Sequence, residues 1–311
     1  MDYWRICAMR SRFRNILLIS ISLCAVFNGT CTTDAQQKVS PDSKTAAKAS
    51  SSSDLAELIE IETGELPLII SAPHGGGLNI AGSVERKGMG VEKFVVVRDT
   101  YTDRLARAVA DALKAKTGRK PHLVIAHFAR RHADANRAAA GAYENDSAKR
   151  VYEAYHDALA KAREQILQAY GRGLIIDIHG QGAERNTIFR GTQNRSTVKT
   201  MLAKDGEAAF SGERSVLGSL VKSGYTIKPD PSLQVPEDPR YNGGYITQTY
   251  GSKNGGNIDG VQLEFGSIPR SPDQYQKTAS DLANALVTYM ETYLGQKLPP
   301  PQTLEINRKS K

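Results

Sequence analysis

Short apolar runs alternate with stretches of helical periodicity along most of this chain, and that alternation restricts the fold more than any other feature. Residues 66–72, 123–126 and 173–178 are compact apolar runs followed at once by Pro73, His127 and His179. They are too short for buried helices and read as buried strands, with residues 261–265 as a late fourth. Between them, Leu105, Ala106, Val109, Ala112 and Leu113 fall at helical spacing within residues 102–116. Residues 151–170 are amphipathic in the same way, and residues 272–294 read as a final helix with Pro272 near its start. Strands in turn with helices imply an α/β fold, with a mostly parallel or mixed central sheet and helices on both faces. One domain over residues 55–298 accommodates all of these elements.

The chain has 311 residues with ordinary globular composition, 40% hydrophobic and 24% charged. Its formal charge of +8 is spread rather than gathered into a basic stripe with interleaved aromatics, so no nucleic-acid partner is expected. The three cysteines, Cys7, Cys24 and Cys31, all lie near the N-terminus. The folded body therefore has neither a disulfide framework nor a cysteine metal site, and any metal there must be held by histidines and carboxylates.

The first residues carry the pattern of an export signal. Arg5, Arg10, Arg12 and Arg14 form a positive segment ahead of an apolar run over residues 16–27. That run falls short of the roughly 20 residues a membrane-spanning helix requires. Residues 1–35 read as the signal, 36–54 as a polar flexible tether and 299–311 as a disordered tail. The expected location is periplasmic or extracellular, with no stable membrane insertion once the signal is cleaved. An uncleaved membrane anchor is the competing reading.

In open α/β sheets ligands gather at the carboxyl ends of strands. Three expected strands end near reactive side chains: His74 in Pro73-His74-Gly75-Gly76, His179 in Asp177-Ile178-His179-Gly180, and Glu264. The glycines after His74 would let backbone approach a metal or substrate closely. Asp177, two residues before His179, is placed to orient a metal-bound imidazole from behind. Two imidazoles and a carboxylate suit zinc, although ligand type alone admits another divalent ion. The loop holding Arg130, Arg131, His132, Asp134, Asn136 and Arg137 concentrates donors that pair with carboxylates. Of the other histidines, His122, His127 and His156 read as structural, with His132 the candidate exception.

The motifs Pro73-His74-Gly75-Gly76, Asp99-Thr100-Tyr101-Thr102-Asp103, Asp134-Ala135-Asn136-Arg137, Asn242-Gly243-Gly244-Tyr245-Ile246 and Gln262-Leu263-Glu264, with Asp177-Ile178-His179-Gly180 among them, occur in an order that resembles the N-formylglutamate amidohydrolase family. The resemblance spans about residues 65–294. It implies a zinc carboxypeptidase-like fold with His74 and His179 as zinc ligands and Glu264 as the catalytic carboxylate. It also implies that Asn136 and Arg137 grip a substrate carboxylate, Arg137 serving catalysis by positioning the amide; Arg130 of the same loop is a further substrate-binding candidate. Zinc carboxypeptidase relatives take a further ligand from a Glu shortly after the first His, where this chain has Gly77-Leu78-Asn79. Asp99 is the expected replacement, with Glu85 or Asp103 as alternatives.

The expected activity is zinc-dependent hydrolysis of an amide bond in an acidic N-acyl amino acid or a γ-glutamyl or peptide-like substrate. The alternative is an exported, non-catalytic protein that binds acidic ligands on the same fold.

Overall fold

The apolar runs form strands and the periodic stretches form helices. A computed structural model describes residues 52–298. In chain order these give α1 (Ser52–Leu58), β1 (Ile59–Glu62), β2 (Leu68–Ala72), α2 (Thr102–Thr117), β3 (His122–Ala126), α3 (Asp146–Tyr170), β4 (Gly173–Gly180) and β5 (Thr187–Gly191). They continue with α4 (Lys199–Asp205), α5 (Glu207–Ser211), α6 (Val216–Lys222), β6 (Thr226–Lys228), α7 (Tyr245–Tyr250), β7 (Ile258–Phe265) and α8 (Tyr275–Tyr293). The export signal and the tail expected at the two ends fall outside the described residues, as does the tether up to residue 51. The folded body begins with α1 at Ser52, slightly earlier than the tether reading allows. Among the described residues, no helix is long and apolar enough to cross a membrane.

The seven strands form one mixed sheet in the order β1-β3-β2-β4-β7-β5-β6. Its centre, β3-β2-β4-β7, is parallel, while β1 and β5 join it antiparallel. Side chains alternate across each strand, so successive residues face opposite helix layers. Leu68, Ile70, Ile176 and Ile178 pack with Leu105 of α2 and Leu286 of α8. Ile69, Val124 and Ile175 pack on the other side with Val151 and Leu159 of α3. Each such side chain contributes about 1.5–3 kcal/mol on leaving water, so both faces must be covered, as expected for this fold class.

Chain order fixes where a ligand site forms. From β2 the chain crosses by α2 to β3 on one side, then returns by α3 to β4 on the other. The carboxyl ends of β2 and β4 therefore diverge into a crevice, the usual binding position in open α/β sheets. Near this crevice the face opposite Ile178 and Leu263 turns polar, through Ser71, Asp177, His179, Gln262 and Glu264. These pair off as register partners: Ser71 with Asp177, Asp177 with Gln262, and His179 with Glu264.

The sequence pattern leaves several elements unread. β1 (Ile-Glu-Ile-Glu) has half its residues charged, β6 has three residues, and β5 contains a buried arginine. Arg190 is accommodated there because its guanidinium meets Glu237, which also accepts from Thr192 and Asn194. Helix α3 starts at Asp146 because Asn145 caps it, its side chain accepting from the Ala148 N–H at 3.3 Å.

Candidate metal and active site

His74 lies just past β2 and His179 near the end of β4, on either side of the crevice. Their rings meet edge to face with centroids 4.8 Å apart, and their Nδ1 atoms are separated by 3.2 Å. Asp99 joins them: its Oδ2 is 3.5 Å from Nδ1 of His74 and 3.3 Å from Nδ1 of His179. Two backbone bonds hold Asp99 there. Its N–H donates to the His74 carbonyl at 3.0 Å, and its Oδ2 accepts from the Gly180 N–H at 3.2 Å.

The outward nitrogens are held as firmly. Nε2 of His74 donates to Oδ1 of Asp134 at 2.7 Å, and Nε2 of His179 donates to Oδ2 of Asp177 at 2.8 Å. Both carboxylates are fully buried. Ser71 donates to Asp177 at 2.6 Å across the β2–β4 ladder. With each Nε2–H directed backwards, each Nδ1 presents its lone pair to the centre.

These atoms fit a small divalent cation. A tetrahedral centre with bonds of about 2.0–2.1 Å sets its ligands about 3.3 Å apart, which the three separations match. Among the described residues, His74, Asp99 and His179 are the group of His, Cys, Asp or Glu whose ligand atoms converge this closely. The electrostatics agree. Burial alone would push the His179 imidazole down, yet Asp177, Asp99 and Glu264 hold it well above the usual range. Burial would raise Asp99, but the imidazoles of His179 and His74 beside its carboxylate hold it far below the carboxylate range. The pocket favours positive charge.

Glu264, 8% exposed, lines the same cavity of about 1060 Å³ as the two histidines and Asp99. Burial is the main reason its carboxyl is pushed up to about 7, with Asp99 adding to the effect and His179 opposing it. Gln262 orients it, donating from Nε2 to Oε1 at 2.8 Å while its own Oε1 accepts from the Gly244 N–H at 2.7 Å.

The remaining expectations are redistributed. Asp99, not Glu85 or Asp103, converges on the histidines. Glu85 is exposed and pairs with Arg131 at 2.9 Å, whereas Asp103 sits in the first turn of α2 beside Arg98 at 3.4 Å. Arg130 and Arg137 border the cavity, but their Nε atoms lie 3.0 and 3.3 Å from Oδ2 of Asp134. The terminal nitrogens of Arg137 donate to the carbonyls of Glu92 and Lys93. The Asn136 amide is likewise committed within the protein, accepting from the Ile246 N–H at 2.8 Å and donating to Gln262 at 3.2 Å. Of the three residues expected to grip substrate, Arg130 and Asn136 keep nitrogens beside the reactive groups, Nη1 of Arg130 lying 3.9 Å from Asp99 and Nδ2 of Asn136 3.1 Å from Nε2 of His179.

Gly75 and Gly76 are required by the protein itself: a Cβ on either would lie 2.4 Å from Asp103 N or 2.2 Å from the His127 carbonyl carbon. His132 contacts Ser83 and Asn79 rather than the site. Sequence reasoning missed the roles of Asp134, Ser71 and Gln262. Asp134 opens the Asp134-Ala135-Asn136-Arg137 motif, and Gln262 has the same i, i+2 relation to Glu264 that Asp177 has to His179.

Residues 142–267 match the model of the N-formylglutamate amidohydrolase family. The matched stretch holds His179, Gly244, Gln262 and Glu264 but not His74, Asp99 or Asp134. The fold is similar to that of N-formylglutamate amidohydrolase from Ralstonia eutropha JMP134, at 17% identity and a TM-score of 0.53 over 77% of this chain and 100% of that one. It is also similar to a gene product from Agrobacterium tumefaciens, at 13% identity and a TM-score of 0.51 over 77% of this chain and 97% of that one. No curated protein matches the chain. The resemblance thus holds over the stretch with the motifs at Asp177, Asn242 and Gln262, and the α/β class with a mixed central sheet and helices on both faces is the one expected.

Proposed function

We propose that this protein is a zinc-dependent amidohydrolase acting on an acidic N-acyl amino acid or a γ-glutamyl or peptide-like amide. One observation carries the reading: three donor atoms converge at 3.2–3.5 Å while a buried carboxylate backs each imidazole. His74, Asp99 and His179 would hold the ion, which when bound supplies activation of water and polarisation of the scissile carbonyl.

The protein's own groups do the rest. Glu264, buried in the same cavity as the two histidines, serves first as base towards water and then as acid towards the leaving nitrogen. Gln262 occupies Oε1 and leaves Oε2 for that transfer. Arg130 takes the part first expected of Arg137, anchoring the acidic group of the substrate through its terminal nitrogens. The cavity of about 1060 Å³ lies above the range usual for a drug-sized ligand and leaves room for a larger acyl or peptide portion. The export pattern of residues 1–35 supports a reaction outside the cytoplasm, which cell fractionation tests directly.

Purified protein is expected to contain one zinc ion per chain and to release amine from members of a panel of N-acyl amino acids and γ-glutamyl peptides. A metal-free chain that binds acidic amides without cleaving them would instead establish the ligand-binding alternative.

A further inference from the structure

We propose that Arg270 is a positioning residue that clamps together the three segments carrying Asp99, His179 and Glu264. It lies between β7 and α8, is 8% exposed, and borders the cavity. Its guanidinium is bonded to backbone. Nη1 donates to the carbonyl of Thr100 and, at 2.7 Å, to its hydroxyl; Nε donates to the Phe265 carbonyl at 3.1 Å, and Nη2 to the Gln181 carbonyl at 3.4 Å. Thr100 follows Asp99, Phe265 follows Glu264, and Gln181 is two residues past His179. One planar group thus fixes the chain immediately beside every reactive side chain except His74.

The arrangement needs a fork. The acceptors lie at the ends of β4 and β7 and before α2, and the carbonyl of buried Gln181, left unpaired, would carry a desolvation penalty. A planar guanidinium with five N–H donors meets all of them, whereas a lysine ammonium, a compact point charge, does not reproduce the geometry. Gly180 completes the clamp. A Cβ there would stand 2.7 Å from Nε and 2.9 Å from Cζ of Arg270, and the Gly180 N–H is the group that donates to Asp99. The cation also offsets the local negative charge, since Asp99 and Glu264 both favour its protonated form against the cost of burial.

This inference rests on the reading that His74, Asp99 and His179 hold a divalent cation. Its test measures zinc affinity of the full chain by chelator competition, independent of turnover, for wild type, Arg270→Lys, Gly180→Ala and the double variant. Arg172→Lys, which alters a pair with Asp205 before the start of β4, is the control for general destabilisation. Arg270→Lys and Gly180→Ala are each expected to weaken zinc binding about 10–100-fold, the usual effect of removing support behind metal ligands. The double variant should be no worse than either single one, because both break the same clamp. kcat should fall while KM stays near wild type. Thr100→Val, which removes one bond of the fork and leaves the fold intact, should show the same changes in smaller measure. Wild-type zinc affinity in Thr100→Val and in whichever of the other variants fold, or an equal loss in Arg172→Lys, overturns the proposal while leaving the metal reading standing. A wild-type chain that does not bind zinc overturns both.

Discussion

His74 and His179 face each other through Nδ1 atoms 3.2 Å apart while their Nε2 atoms point to two different buried carboxylates, Asp134 and Asp177. Each imidazole is therefore fixed in tautomer and direction by its own support. Loss of either ring should remove the cation: His74→Ala and His179→Ala are expected to purify with little zinc and no turnover. In the wild type, chelation should abolish activity and added zinc restore it. Metal analysis beside an amide-cleavage assay checks this, and full activity after exhaustive chelation would refute it.

Asp134 meets four cationic or potentially cationic groups: His74 at 2.7 Å, Arg130 at 3.0 Å, Arg137 at 3.3 Å and Arg86 at 3.5 Å. Asp134→Asn keeps the shape and removes the charge that these buried groups require. It is expected to cost about 3–5 kcal/mol, as when one partner of a buried ion pair is lost. Although burial raises this carboxyl, His74 and the arginines hold it well below its ordinary value of 3.8. The stabilisation is thus complete above that value and is lost only as pH falls through the lower folded one. Denaturant melts of wild type and variant should differ fully at neutral pH and converge only in strong acid.

Glu264→Gln should lower kcat by about 10²–10⁴-fold while zinc still binds. The metal-free wild type should show a carboxyl titrating at about 7 by carbon NMR, moving down when zinc is added. The folded value lies above the ordinary 4.5, so the folded chain keeps a proton that the unfolded chain releases across that window. Metal-free stability should therefore fall as pH rises from about 4.5 to 7, and Glu264→Gln should lose that slope. A variant with near-normal turnover would remove Glu264 from the mechanism.

Gly244 has φ −95°, a conformation open to any residue, so Gly244→Ala tests space alone. Its Cβ would fall 2.2 Å from Nδ2 of Asn136, whose amide also reaches Gln262 and through it Glu264. The variant is expected to lose about 1–3 kcal/mol by overpacking and to turn over more slowly. Calorimetry and kinetics check both, and a wild-type melt would show that Asn136 is free to move.

The central strands and long helices were legible because burial on two faces leaves continuous apolar runs, as in β2 and β4. β5 was not, because Arg190 interrupts it and only the distant Glu237 makes that arginine tolerable. The two histidines and Glu264 could be read from their positions at strand ends. The supporting residues could not, since a polar side chain such as Ser71 gives no sign of which neighbour it will serve. The arginine loop was legible as a concentration of donors for an anion, but not that Asp134 of the protein itself meets Arg137 and the Nε of Arg130.

Glu264 stands directly across the β4–β7 ladder from His179, as Gln262 stands across from Asp177. The spacing between Glu264 and the imidazole of His179 is therefore a property of hydrogen-bonded backbone, not of the loops around the cavity. Those loops can be lengthened, shortened or replaced to admit different amides while the reacting groups keep their distance. If the proposed function holds, a chain built this way can change what it cleaves without changing how it cleaves.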